Sequence, residues 1–295
     1  MLFRSPTGAV IDYYLKSEIK PNPEQRRQHE GPVKIVVSDA QGNTVATEYG
    51  SGEAGVNRYV WSMSADGATP LVGESSPRGG GGFFNFNRGP RVAPGTYKIA
   101  VTANGETQTQ SVAVEADPNL HVDPAIFREQ ERSGLEARNQ ISALNEMLNR
   151  INDVDKELGD FRSAVESSKD PQEQAKYRAI LGRGRELEKK LNEIKDRVYS
   201  PNVQHNVSED DIHELTDFHS QLQRTMFAGG GGSYGEPTSP LVRAQMEEMF
   251  RKNGEFISQF NGALKTDVAE YNRAAQSAGA PTVFAGSPIT VKTVK

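Results

Sequence analysis

The chain has 295 residues, 35% of them hydrophobic and 25% charged, with a formal net charge of -5; that length suits about two domains, each with enough chain to bury a core. It has no cysteine, which excludes disulfides, thiolate nucleophiles and cysteine-ligated zinc and leaves the compartment open. No apolar run approaches the ~18 residues of a membrane span, so membrane insertion is not expected, and residues 1–116 balance 11 basic against 11 acidic side chains, so the acidic excess sits in the remainder and nucleic acid is not the expected partner.

The opening Met1-Leu2-Phe3-Arg4-Ser5-Pro6 has no signal-peptide core. Val10 to Leu15 is the first expected strand. Val33, Ile35 and Val37 alternate with Lys34 and Val36, Asp39-Ala40-Gln41-Gly42-Asn43 supplies turn chemistry, and Thr44 to Tyr49 returns, which predicts a hairpin. Gly55 to Met63 sets Asn57, Tyr59 and Trp61 on one face and Val56, Arg58 and Val60 on the other. Trp61, the only tryptophan, is expected to be the largest filler of the core.

Pro94-Gly95 turns the chain; Tyr97, Ile99 and Val101 then alternate with Lys98 and Thr102, Asn104-Gly105 is a strong hairpin signal, and Thr107 to Val114 returns. Six strands over roughly 100 residues predict an all-β sandwich of the immunoglobulin or fibronectin type III kind. The stretch Ala65 to Val92 reads as a long insertion carrying Gly79 to Gly82 followed by Phe83-Phe84-Asn85-Phe86-Asn87-Arg88. Loops of that length are functional or mobile. Its aromatic residues either form an exposed surface for a partner or fold back over the sandwich edge or the neighbouring helices, and the second alternative is the favoured one because aromatic burial stabilises a fold substantially.

From Asp123 the period becomes helical. Asp123-Pro124 starts a helix whose stripe includes Ile141, Leu144, Leu148, Ile151 and Leu158 and which runs to about Ser168. Asp170-Pro171 starts a second, stopped by Ser200-Pro201. A third is expected from Ser208 through Ile212, Leu215, Phe218, Leu222 and Met226 to the glycine run Gly229 to Gly232. Pro240 opens a fourth, with Leu241, Met246, Phe250, Ile257, Phe260 and Tyr271 among its apolar positions, closed by Gly279. Short connections imply an antiparallel bundle of about four helices. The fold class is therefore α+β: a sandwich over 1–117 with the insertion 65–92, a helical bundle over 118–279, and an extended tail over 280–295. Ile289 to Val294 in that tail alternates, as a strand added to the sandwich or a loosely ordered end would.

Catalytic chemistry is thin. The histidines His29, His121, His205, His213 and His219 make no zincin pattern, and His213 with Asp217 lacks a third ligand nearby. Asp153, Asp155 and Glu157 begin like a calcium loop, but Leu158 and Ala164 stand where glycine and the bidentate acid belong. Neither four-glycine run continues into Gly-Lys-Ser/Thr, so both read as spacers rather than phosphate cradles. Glu186, Glu188, Glu247 and Glu248 interleave with Lys and Arg as solvated helix faces do. No catalytic, cofactor or metal residue is nominated; the candidate ligand or partner loop is Phe83, Phe84, Phe86 and Arg88.

Gly8 to Leu15, Gly55-Val56-Asn57-Arg58-Tyr59-Val60-Trp61, Ala93 to Val101 and Asp117-Pro118, followed by helices with a glycine- and proline-marked break, together resemble the C-terminal region of bacterial Asp-box or sortilin-like glycosyl-hydrolase-type β-propeller proteins. The resemblance covers nearly the whole chain. It implies a sandwich like the immunoglobulin-like domain of flagellar hook-capping proteins, an exported or cell-surface protein, and a propeller upstream that carries any hydrolase activity. Three departures stand out: the propeller is absent from these residues, Ser62 follows Trp61 where the family often has Asp, and the insertion is long. The expected function is a non-catalytic accessory or protein-interaction module whose partner is the propeller or another protein. The alternatives are a carbohydrate-binding module, in which the phenylalanine loop and Tyr49 or Tyr59 stack on sugar rings, and a part of a glycoside hydrolase.

Overall fold

The computed structural model describes residues 8–28, 30–73, 88–119, 121–200, 217–230 and 235–294, with 227–230 as backbone alone. The fold is mixed α+β and has two compact units, each assembled from separated stretches of chain. The first takes Met1–Gly67, Asn85–Leu135 and Gly230–Thr238; the second takes Ala68–Phe84, Glu136–Gly229 and Ser239–Lys295.

In the first unit β1 (Ala9–Leu15) pairs antiparallel with β4 (Gly55–Trp61), Ala9 opposite Trp61 and Leu15 opposite Gly55. A second antiparallel sheet has the order β3-β2-β7-β8, built from β2 (Val33–Ser38), β3 (Thr44–Gly50), β7 (Gly95–Ala103) and β8 (Glu106–Val114). The period-two alternation sends one face of each sheet into a single apolar core: Ile11, Leu15 and Trp61 from one, Val33, Ile35, Val37, Tyr97 and Ile99 from the other. The three β2 side chains and Trp61 are wholly buried. Trp61 donates its indole N–H to the Ser64 carbonyl at 2.9 Å and meets the Tyr97 ring edge-on, centroids 5.4 Å apart.

Local chemistry sets the turns. Asp39 accepts from the Gln41 and Asn43 amides at 3.0 and 2.8 Å, closing the β2–β3 hairpin. Asn104 and Gly105 both have positive φ, 51° and 81°, the conformation a two-residue hairpin turn requires between β7 and β8.

Three short elements escape the sequence reading. Helix α1 (Pro23–Gln28) is capped by Asn22, whose side-chain oxygen accepts from the Glu24 and Gln25 amides while Gln25 accepts from the Asn22 amide. The expected insertion 65–92 is not one loop, because its ends pair antiparallel as β5 (Ser64–Asp66) and β6 (Arg88–Arg91). Its residue Leu71 is buried in the core of the second unit.

Helices make up most of the second unit, the first of them contributing to it only from Glu136 onward. Helix α2 (Pro124–Ser167) is followed by α3 (Pro171–Lys195), capped by the Asp170 carboxylate on the Gln172 amide at 2.8 Å. Then come α4 (Phe218–Gly230), α5 (Pro240–Ala263), a π-helical turn (Leu264–Val268) and α6 (Ala269–Ala278), the last three continuous. The expected third-helix start at Ser208, with Ile212 and Leu215, lies outside the described residues. Pairings fix direction: Asp155 with Asn192, Arg162 with Glu188 and Glu166 with Arg185 run α2 against α3. Arg197 with Gln259, Lys190 with Asp267 and Tyr177 with Gly279 do the same for the α3 segment against α5–α6. Leu144, Met147, Leu148, Ile151, Leu191 and Phe260 are wholly or almost wholly buried. Leu241, placed on the apolar stripe by its spacing, is instead 75% exposed in the first turn of α5, while its neighbour Val242 packs against the helical core.

Residues 279–294 form neither helix nor strand. The alternation at Ile289 to Val294 that suggested an added strand has another cause: Ile289 is buried in the helical core and Val291 packs against it, as Val283 and Ala285 are buried upstream, and the main chain bonds to helix side chains.

Candidate functional site

The first candidate is the outer face of β1–β4. Alternation that buries Ile11, Leu15 and Trp61 turns their neighbours outward, and the register sets Val10 opposite Val60, Asp12 opposite Arg58 and Tyr14 opposite Val56. Tyr14 is 70% and Val56 78% exposed. Between these apolar pairs Arg58 grips both Asp12 oxygens, at 2.7 and 2.8 Å. The guanidinium holds the Asp12 carboxyl below the ordinary carboxylate range. An aromatic, three valines and a bidentate ion pair on a short sheet are the surface chemistry of a protein contact.

The second is a polar surface depression of about 410 Å³ where β3, β4, β5 and β6 converge, lined by Thr47, Glu48, Tyr59, Ser62, Asp66 and Arg88 among others. Asp66 is tied to the sheet by accepting the Thr47 amide at 3.0 Å. The Tyr59 ring packs against the apolar core. Burial, then a hydrogen bond to the Glu48 carboxylate, pushes its phenol well above the ordinary value. Gly89, beside Arg88, lets β6 lie close on β5: a Cβ there would stand 2.2 Å from the Asp66 carbonyl oxygen. Two carboxylates, a phenol, a guanidinium and two hydroxyls are a hydrogen-bonding set for a hydroxyl-rich ligand.

Of the loop expected to meet a partner, Arg88 begins β6 and lines this depression, whereas Phe83, Phe84 and Phe86 lie outside the described residues. Tyr59 and Arg88 are thus brought to one place. Tyr49 is not in the lining; its phenol is raised by partial burial and by a hydrogen bond to Glu30.

A scan of protein-family models and searches of curated proteins and of solved structures return no match.

Among the described residues no three His, Asp or Glu side chains gather to hold a metal ion, and no helix is long and apolar enough to cross a membrane. His29, His205 and His213 lie outside those residues. His219 is fully buried, 2.7 Å from the Asn145 side-chain oxygen and edge-on to Tyr199, which makes it a core residue of the helical unit. Sequence reading missed Glu48 and Asp66. They come together only because β5, three residues long and without alternation, folds Asp66 onto β3.

Proposed function

We propose that the chain is a non-catalytic, protein-interaction module of a larger exported or cell-surface bacterial protein of the Asp-box or sortilin-like propeller class. Its β unit is read as an immunoglobulin or fibronectin type III-like sandwich, and its helices as an antiparallel bundle. The exposed β1–β4 face carries the reading, because Tyr14 and Val56 stand in water beside an already satisfied ion pair. The sandwich reading is supported by two sheets sharing one core, and by the buried Tyr97 hydroxyl, which donates to the Ala93 carbonyl at 2.7 Å as in a tyrosine corner.

The partner is a β-propeller polypeptide. Tyr14→Lys with Val56→Lys should leave the thermal transition in place and abolish association with such a propeller supplied in trans; association that survives both lysines refutes the docking face. A second reading, glycan binding, is favoured by the meeting of Tyr59, Glu48, Asp66 and Arg88 in one depression. Arg88→Ala should then remove binding on a glycan array, and binding that persists removes the depression from that role.

A further inference from the structure

The tail 280–292 is extended, yet its main chain is not paired as a strand; it lies in a groove between α2 and α5–α6. Asn272 takes both polar groups of Val283, accepting its amide at 2.9 Å and donating to its carbonyl at 3.0 Å. Asn261 repeats this with Ile289, at 2.8 and 2.9 Å. From α2, Glu157 accepts the Phe284 amide at 2.9 Å, Arg150 donates to the carbonyls of Ala285 and Ser287, and Asn139 donates to the Lys292 carbonyl at 2.9 Å. Residue numbers fall along both helices as they rise along the tail, so the segment runs antiparallel to each.

Positions 139, 146, 150 and 157 recur at spacings of seven and four, one stripe of α2. Glu146 completes it by holding the Arg150 guanidinium. Asn261 and Asn272 flank the π-helical turn Leu264–Val268, a distortion that recurs at functional sites.

All of these bonds go to peptide groups of the tail. A carboxamide that pairs with the N–H and C=O of one residue does what a neighbouring strand does, so the helices present a strand edge made of side chains. Side-chain identity enters at the anchors Val283, Ala285 and Ile289, each less than 7% exposed, while Phe284 between them is 79% exposed; it enters also at Gly286, left-handed with φ 72°, where a Cβ would stand 2.9 Å from the Arg150 guanidinium. The recognition therefore reads a segment extended on either side of a left-handed glycine at the fourth position, with aliphatic or small residues at the first, third and seventh. The segment leaves α6 at Gly279, its left-handed C-cap with φ 63°, and Pro281 keeps the helix from continuing.

We propose that this groove is a peptide-binding site for an extended segment with those three anchors, donated by another polypeptide, and that residues 281–292 are its resident occupant in cis. The site is independent of the β1–β4 face, and the loss of either leaves the other intact.

The test uses the full chain and a fluorescent peptide of the sequence Ala280 to Lys295. Val283→Asp with Ile289→Asp should unseat the resident tail, after which the chain binds the peptide saturably and about tenfold or more tighter than the unsubstituted chain does. The same peptide carrying both aspartates should not bind, and Asn261→Ala with Asn272→Ala in the unseated chain should weaken binding by about tenfold or more. A chain that keeps its helical circular dichroism yet ignores the peptide, or that binds the aspartate peptide equally well, overturns the proposal. Should the aspartate variant fail to fold, a protease site inserted after Gly279 supplies the second form. The tail is cut from the folded protein and chased with labelled peptide, and label that does not enter while the helices persist refutes exchange.

Discussion

Tyr97 hydrogen-bonds the carbonyl of Ala93, four residues upstream, at 2.7 Å, with its ring edge-on to Trp61. Tyr97→Phe keeps the ring and strands the buried carbonyl, at a cost of about 1–2 kcal/mol. Urea unfolding followed by Trp61 fluorescence measures it, and a midpoint unchanged with an unchanged slope would show the bond to be dispensable.

The close lie of β6 on β5 depends on Gly89. Gly89→Ala sets a methyl group 2.2 and 2.4 Å from the carbonyl oxygens of Asp66 and Ala65, and overpacking of backbone against backbone costs about 1–3 kcal/mol. Amide exchange should quicken at Val92, whose N–H bonds the Met63 carbonyl at 3.0 Å. Protection equal to the parent's would count against the tight β5–β6 contact.

Tyr59 should resist ionisation. Burial and Glu48 both raise its phenol above the ordinary ~10, so the alkaline absorbance difference between the chain and Tyr59→Phe should appear only above that pH. Glu48→Gln removes the repelling carboxylate and should move that step downward; a step that stays put would break the pairing of Tyr59 with Glu48.

In the helical unit the Lys190 ammonium, followed by the Thr266 hydroxyl, lowers the Asp267 carboxyl below its ordinary range. Its folded value thus lies under the unfolded ~3.9. The stability it contributes is present above about pH 4 and is lost as pH falls through the folded value. Asp267→Asn should therefore be less stable than the parent at pH 6, with the gap closing as pH falls through the folded value and with salt narrowing it at pH 6 because Lys190 is exposed. A gap that widens on acidification would contradict the pair.

Phe260 and Leu241 occupy the same helix with opposite fates, 0% and 75% exposed. Phe260→Ala should cost about 3–5 kcal/mol, and Leu241→Ala within about 0.5 kcal/mol of nothing. Ellipticity at 222 nm against denaturant separates the two, and comparable losses would put Leu241 in the core.

Where burial follows a local period, the residues announced it. Val33, Ile35 and Val37 face the core as their alternation requires, Asn104-Gly105 turns the hairpin, and Asp170-Pro171 begins a helix. Asn22-Pro23-Glu24-Gln25 carried a capping box that a reading tuned to apolar runs passes over, because α1 buries nothing. Alternation at Ile289 to Val294 was real, but period reports which side of a segment is covered and not what covers it. Here helices do so, through asparagine side chains rather than a strand. The candidate depression was least legible, since Glu48 and Asp66 meet through a tertiary fold that leaves no mark at either position.

Residues 68–72 reach their place through contacts far along the chain: Thr69 to Ser142, Thr69 to Asn145, and Val72 and Pro70 to Asn149, 73 to 79 positions away. During synthesis, which adds about 5–20 residues each second, Leu71 emerges seconds before the helix that will cover it. That span can close only after β6, β7 and β8, which lie within it, have been made, a non-local step of the kind that slows folding. The helical unit consequently inherits a timing requirement that its own local, fast-forming helices would never have imposed.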